Sequence, residues 1–234
     1  MADPFDHAWS AADAVPGWTT REQGRALWDA VHRLAPGATV VEIGSHQGRS
    51  TIVLGHAARS VGARVVAIDP FLDGPPYGGQ RTRDAFEANI AANDLGGVVE
   101  LVVGYSTKLR PTWDRPADLL FIDGKHDYWT YTDDLRWSAF LPGDAEVLVH
   151  DCFSSVGVTS GTVAKVLPGS RLSYRDRVGT LARFTVTPPT RRDRLRLARE
   201  LPWFARNVLV KALLRLRLRP IARLLGHHSP VDPY

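Results

Sequence analysis

Cysteine occurs only once in the 234 residues, at position 152, so no internal disulfide can staple the fold. Long apolar runs are also missing. No stretch reaches the ~18 uninterrupted apolar residues of a membrane-spanning helix, because arginines break even the apolar carboxyl-terminal region. The amino terminus, MADPFDHAWSAADA, lacks the basic start and apolar run of a secretory signal. There is no internal repeat and no long low-complexity segment. These absences point to a cytoplasmic chain that does not span a bilayer. Hydrophobic residues at 44% and charged residues at 23% are ordinary for a globular protein and argue against a disordered or fibrous one. The length suits one α/β domain with terminal additions, not two catalytic domains.

Charge is unevenly spread. From Thr187 onward there are 11 Lys/Arg and 3 Asp/Glu, against 18 and 22 before it, so a net charge of +4 hides an acidic body and a basic tail. Such a tail reads as an electrostatic appendage for a membrane surface, a polyanion or another subunit, and says little about chemistry.

The first 35 residues carry Trp9, Trp18 and Trp28 and predict a lid or packing helix over 20–34, closed by Pro36-Gly37. From 38 to 186, short Val/Ile/Leu runs alternate with longer amphipathic stretches. This predicts strands at 39–43, 64–69, 98–103, 117–123 and 145–150, with helices at 48–60, 82–93 and 127–140. The run RLSYRDRVGTLARFTV adds an antiparallel hairpin turning around Asp176 to Gly179. The expected fold is therefore α/β: a Rossmann-like, doubly wound, mostly parallel seven-stranded sheet ending in an antiparallel hairpin. Pro188-Pro189 mark a boundary, giving a lid (1–35), a ligand-binding domain (36–187) and a basic amphipathic tail (188–234). The tail predicts helix imperfectly, and its LRLRLR run is also compatible with a strand.

VVEIGSHQGRST at 40–51 is a strand, a tight glycine turn and a helix start, the arrangement that sets backbone N–H groups against a ligand. Its glycines, Gly44 and Gly48, are spaced G-x-x-x-G rather than G-x-G-x-x-G. Glu42 stands two residues before the first, and a carboxylate there suits the ammonium and sulfonium of S-adenosylmethionine better than a pyrophosphate. RVVAIDPF ends in Asp69, placed to accept hydrogen bonds from ribose hydroxyls.

EIGSHQGRST, AIDPF and FIDGKHDY, in that order, resemble the small class I O-methyltransferases whose fourth strand ends in I-D-G-x-H-x-Y; the match covers roughly 38–186. That resemblance implies that Glu42, Gly44, Ser45, Gly48, Ser50 and Thr51 surround the methionine part of the cofactor. It also implies Asp69 on the ribose and Tyr105-Ser106 near the adenine.

FIDGKHDY and VLVHDC bring Asp123, His126, His150 and Asp151 to one rim, where open α/β sheets bind ligands. Asp123 and Asp151 are hard oxygen donors suited to a magnesium-like ion. This arrangement is similar to that of metal-dependent sugar and catechol O-methyltransferases, with one departure. Sugar-modifying relatives tend to carry an acid just before the fifth-strand aspartate, and this chain has His150. An alkyl hydroxyl needs a base or a metal before it can attack, and His150, with His126 behind it, is the expected base.

Tyr128, Trp129, Tyr131 and Trp137 recur at helical spacing, as a core-facing stripe would, although one of them or Trp18 could instead stack on a sugar. DGPPY at 73–77 is not the Asp/Asn-Pro-Pro-Tyr motif of DNA amino-methyltransferases, since it has an extra Gly and follows the second strand. The reading is thus S-adenosylmethionine-dependent, magnesium-assisted O-methylation of a saccharide or glycosylated metabolite, with a catechol-like phenol as the alternative acceptor. A homodimer and peripheral contact with the inner membrane surface are the expected partners. Nucleic acid is disfavoured, because the tail interleaves arginine with leucine and contains Pro202 and Pro220, and no recognisable nucleic-acid module is present.

Overall fold

A computed structural model describes residues 3–74 and 78–228, so Pro75 to Tyr77 of the DGPPY segment lie outside the described residues. The chain opens with α1 (Pro4–Asp13) and α2 (Arg21–Val31). Asp3 caps α1, and a reciprocal Thr20–Gln23 capping box starts α2. There follow β1 (Thr39–Ile43), α3 (Arg49–Val61), β2 (Arg64–Asp69), α4 (Gln80–Ala92), β3 (Val99–Val103), α5 (Ser106–Leu109), β4 (Leu119–Ile122), α6 (Tyr128–Asp134), β5 (Glu146–Val149) and α7 (Val156–Lys165). The hairpin strands β6 (Leu172–Val178) and β7 (Leu181–Val186) and the tail helices α8 (Arg191–Ala198), α9 (Leu201–Arg215) and α10 (Arg219–Leu224) complete it.

The seven strands run in the order β3-β2-β1-β4-β5-β7-β6. Strands β1 to β5 are parallel, and β7 is antiparallel to both β5 and β6. Each expected strand and the hairpin are present. The expected helix over 127–140 is split into α6 and a 3-10 stretch, Leu135–Phe140.

Strand alternation sorts the core. Val40, Val65, Ala67, Leu119, Phe121 and Leu148 face one side, where α1, α2 and α3 cover them with Phe5, Leu27, Trp28 and Leu54. Val41, Ile43, Val66, Ile68, Leu120, Ile122, Val147 and Val149 face the other, under Tyr131, Trp137 and Phe153. The aromatic stripe is therefore only half realised. Tyr131 and Trp137 are buried, whereas Trp129 is 79% exposed.

The described part of the tail consists of three helices joined by short turns, and LRLRLR forms no strand. α9 ends at Arg215, and the chain turns through Arg217 at φ 60°. Leu197 joins the second core, with Trp203 and Phe204 packed against it. Glu200 accepts hydrogen bonds from Tyr174 and Arg177.

Candidate active site

At the carboxyl ends of the strands, five loops and the segment Pro16 to Thr19 enclose a cavity of about 610 Å³. One end is made mainly of backbone. Gly44 has φ 88°, and a Cβ there would lie 2.3 Å from the carbonyl oxygen of Asp123, so only glycine lets the β1 turn cross the tip of β4. Gly48, at φ 93°, opens α3 without a side-chain cap. Asp69 braces the turn: Oδ2 accepts from the backbone N–H groups of Ser45 and His46, both at 2.9 Å, and Oδ1 accepts from that of Phe71 at 2.7 Å.

Alternation decides where Glu42 goes. It shares a face with Val40, under α3, and is fully buried with Oε1 accepting from Ser50 Oγ and Oε2 from Thr51 Oγ1, each at 2.5 Å. Burial pushes its pKa up to about 8, although the two hydroxyls pull the other way. Glu42, Gly48 and Thr51 thus stand behind the wall. Gly44, Ser45, Ser50, Asp69, Tyr105, Ser106, Asp123, His126, His150 and Asp151 line it.

The opposite end is made of side chains. His126 bridges two carboxylates, with Nε2 3.4 Å from Asp123 Oδ1 and Nδ1 3.2 Å from Asp151 Oδ2. His150 is buried, and its Nε2 lies 3.2 Å from Gln23 Oε1. That oxygen also accepts from the backbone N–H of Thr20, while Gln23 Nε2 donates to Thr180 Oγ1. The amide is therefore oriented, and His150 Nε2 must carry a proton. Its Nδ1 then faces Asp123 Oδ1 at 3.1 Å without forming a hydrogen bond. Burial opposes charge on His150, but Asp123 and Asp151 outweigh it and push its pKa up to about 9. Asp123 loses water too, yet His150 and His126 hold its carboxyl well below the usual range.

Three features of the rim have no plain sequence signal. Asp134 is fully buried, accepts from Ser106 Oγ at 2.6 Å through Oδ1, and has no partner for Oδ2; burial lifts its pKa to about 7. Helix α7 seats His126: Ser155 donates to the His126 carbonyl, and a Cβ on Gly157 would lie 2.2 Å from that same oxygen. Arg49 donates to the carbonyls of Val15 and Thr19 and pairs with Asp13, holding the amino-terminal segment over the cavity with Trp18 at its edge. All three depend on contacts between distant residues, which no local pattern reports. Away from the cavity, His32 bonds the Trp28 carbonyl and His56 is buried beside Asn93.

Asp123, His126 and His150 each offer a ligand atom within 4.8 Å of the others, and Asp151 joins them through His126. Two carboxylates beside imidazole nitrogens fit a divalent ion with mixed oxygen and nitrogen preference, whose binding would displace the proton that His150 Nδ1 holds between the two aspartates.

The sequence model of a family described as "Methyltransferase domain" matches residues 41–152, which contain both ends of this cavity except the amino-terminal segment. Solved structures share the fold. Cofactor-bound Rv0187 from MTB is 23% identical, with a TM-score of 0.57 over 79% of this chain and 90% of that one. The O-methyltransferase TomG of Streptomyces achromogenes, involved in tomaymycin synthesis and solved with S-adenosylmethionine, is 20% identical with a TM-score of 0.57 over 80% and 91%. The S-adenosylhomocysteine-bound methyltransferase PaMTH1 of Podospora anserina is 14% identical with a TM-score of 0.62 over 80% and 89%. The chain has the Rossmann-like fold of these methyltransferases, and the family model matches the part of it that builds most of the cavity.

Proposed function

We propose that this chain is a methyltransferase that binds S-adenosylmethionine and transfers its methyl group to a hydroxyl of a saccharide or glycosylated small molecule. The observation that carries the reading is the division of one cavity into a backbone-built glycine turn with its acid and a carboxylate–imidazole cluster facing it. The comparisons add that TomG, a protein of this fold, is an O-methyltransferase solved with that cofactor.

Within this reading the N–H groups at the start of α3, which Gly48 opens, hold the methionine carboxylate, Asp69 the ribose, and the wall at Tyr105-Ser106 the adenine. Asp123, Asp151 and His150 Nδ1 would hold a divalent ion, magnesium or a manganese-like ion. Bound there, it would lower the pKa of the acceptor hydroxyl. His150, buried and tied to Gln23, orients; His126, more open at the mouth and flanked by both aspartates, is the better placed proton acceptor. Trp18, 52% exposed at the edge of the cavity, offers a flat apolar face for a sugar ring. The reacting oxygen and methyl group must be brought into line, and rigid positioning supplies much of the rate.

The test is a methylation assay on mono- and disaccharides, glycosides and catechols, with added magnesium or manganese or with a chelator. Saccharides are expected to be methylated, and Asp123→Ala and His126→Gln to lower the rate on the order of 10²–10⁴-fold while product S-adenosylhomocysteine still binds. Methylation of catechols alone would overturn the sugar reading, full activity in the chelator would remove the ion, and undiminished turnover in His126→Gln would return the base to His150.

A further inference from the structure

We propose that the hairpin of α9 and α10 is a docking element for an anionic lipid bilayer. The proposal is independent of the reaction and rests on the second half of the tail alone.

The root of the hairpin is fixed to the body. Arg177 stacks over the Trp203 ring at 3.6 Å, and the fully buried Asn207 donates from Nδ2 to the Phe153 carbonyl at 3.1 Å. Beyond Asn207 the hairpin packs on itself. Val210 and Leu213 of α9 meet Ala222 of α10 in a small separate core, and Arg206 donates to the Leu225 carbonyl to close it.

What remains outside is apolar and cationic together. Leu216 is 68% exposed and Leu224 86%, with Leu209, Leu218 and Ile221 each above 40%. Arg215, Arg217, Arg219 and Arg223 lie among them, and none forms an ion pair within the described residues. Residues 201–228 contain no Asp or Glu. The tip, Leu216-Arg217-Leu218-Arg219, alternates the two kinds of side chain within a single turn.

This composition selects its partner. A second copy meeting the same face would bring two sets of these arginines together in a self-complementary contact, which like-charge repulsion opposes. Nucleic acid would satisfy the arginines and leave the leucines in water. An anionic bilayer serves both: leucine and isoleucine enter the interface while arginines extend to the phosphates. At ~1.5 Å per residue, the tip stands about 14 Å along the helix from Asn207, enough to reach a surface while the root stays seated. The root also sits on the loop that carries Asp151, two residues before Phe153, so docking would set one edge of the cavity near the interface.

The experiment is co-sedimentation of the full chain with vesicles of phosphatidylcholine alone or mixed with phosphatidylglycerol, at low and high salt. Binding to the mixed vesicles is expected, weaker by about 10-fold or more without phosphatidylglycerol or at high salt. Leu216→Glu with Leu224→Glu should abolish it while the far-ultraviolet spectrum and S-adenosylhomocysteine binding stay as in the parent chain. No sedimentation with either vesicle overturns the proposal, as does undiminished binding of the double variant. Concentration-dependent dimerisation lost in that variant, with no vesicle binding, would assign the face to a second copy. Short RNA bound as tightly as vesicles, with and without the leucine changes, would assign it to a polyanion.

Discussion

The two ends of the cavity hold their geometry by different means. At the β1–β2 end the contacts are main-chain: Gly44 crosses under Asp123, and Asp69 collects three backbone N–H groups. At the β4–β5 end they are side-chain: each of two imidazoles lies within about 4 Å of both carboxylates, oriented from behind by Gln23 and from the side by α7. A main-chain site tolerates changes of side chain and fails when the backbone path is blocked. A side-chain site keeps its fold under substitution and loses chemistry instead. That difference makes the ends separable by experiment.

The largest effect should come from blocking the crossing. Gly44→Ala places a Cβ 2.3 Å from a backbone oxygen that cannot move without displacing β4, so a loss of about 3 kcal/mol or more in denaturant unfolding, together with loss of cofactor binding, is expected. Gly37 is the control: it has φ 83° and nothing within 4 Å of an added methyl, so Gly37→Ala carries the conformational cost alone, ~1 kcal/mol. Equal losses at the two positions would show that the left-handed φ, and not the close approach, governs the turn.

Legibility in the sequence follows the same division. Strands buried on both faces leave short runs such as TVVEI and RVVAID, and turns leave glycines and strand-end acids, so the strands, the closing hairpin and the glycine turn can be read locally. Helix α7 could not be. VGVTSGTVAK is poor in helix formers, and its glycines are there for close packing, Gly157 on the His126 carbonyl and Gly161 on the Tyr131 ring. Nor could the inward turn of Glu42: alternation fixes which face it takes, but only the position of α3 makes that face dry. The Gln23–His150 contact joins residues 127 apart, and nothing in the capping box that Gln23 completes foretells it.

The next effect in size concerns Glu42, which lies on the main-chain side yet behaves as a buried side-chain group. Its pKa rises from 4.5 when exposed to about 8 when folded, so between those values the native state holds more protons than the unfolded one. Stability therefore falls as pH rises through that window and levels off above it, the full benefit being present below about pH 4.5. Asp134, lifted to about 7, acts in the same direction. Glu42→Gln keeps one acceptor and supplies a donor to the two hydroxyls, and its cofactor-free unfolding free energy should lose on the order of 2 kcal/mol less than the parent between pH 5 and pH 8.5. Parallel pH curves for the two proteins would mean that Glu42 is ionised in the folded state.

The sharpest test of the comparison, read in affinity rather than in stability, lies at Asp69. A carboxylate offers about four acceptor positions, and three are already taken by the N–H groups of Ser45, His46 and Phe71, which leaves one for a ribose hydroxyl. Asp69→Ala therefore removes both a brace and a ligand contact. A charge-assisted hydrogen bond is worth ~1.5–3 kcal/mol, or roughly 10- to 100-fold in affinity for S-adenosylhomocysteine. Calorimetry with an analogue lacking both ribose hydroxyls separates the two roles. If Asp69 touches the ribose, the parent chain should lose affinity on moving to the analogue, and Asp69→Ala should lose little further, because the cycle couples only groups that meet. If instead the substitution weakens both ligands by the same factor, the contact is absent and Asp69 serves the turn alone. The main-chain end would then contain no side chain that recognises the cofactor, and its selectivity would have to come from the shape of the Gly44–Gly48 loop and the adenine wall at Tyr105 and Ser106.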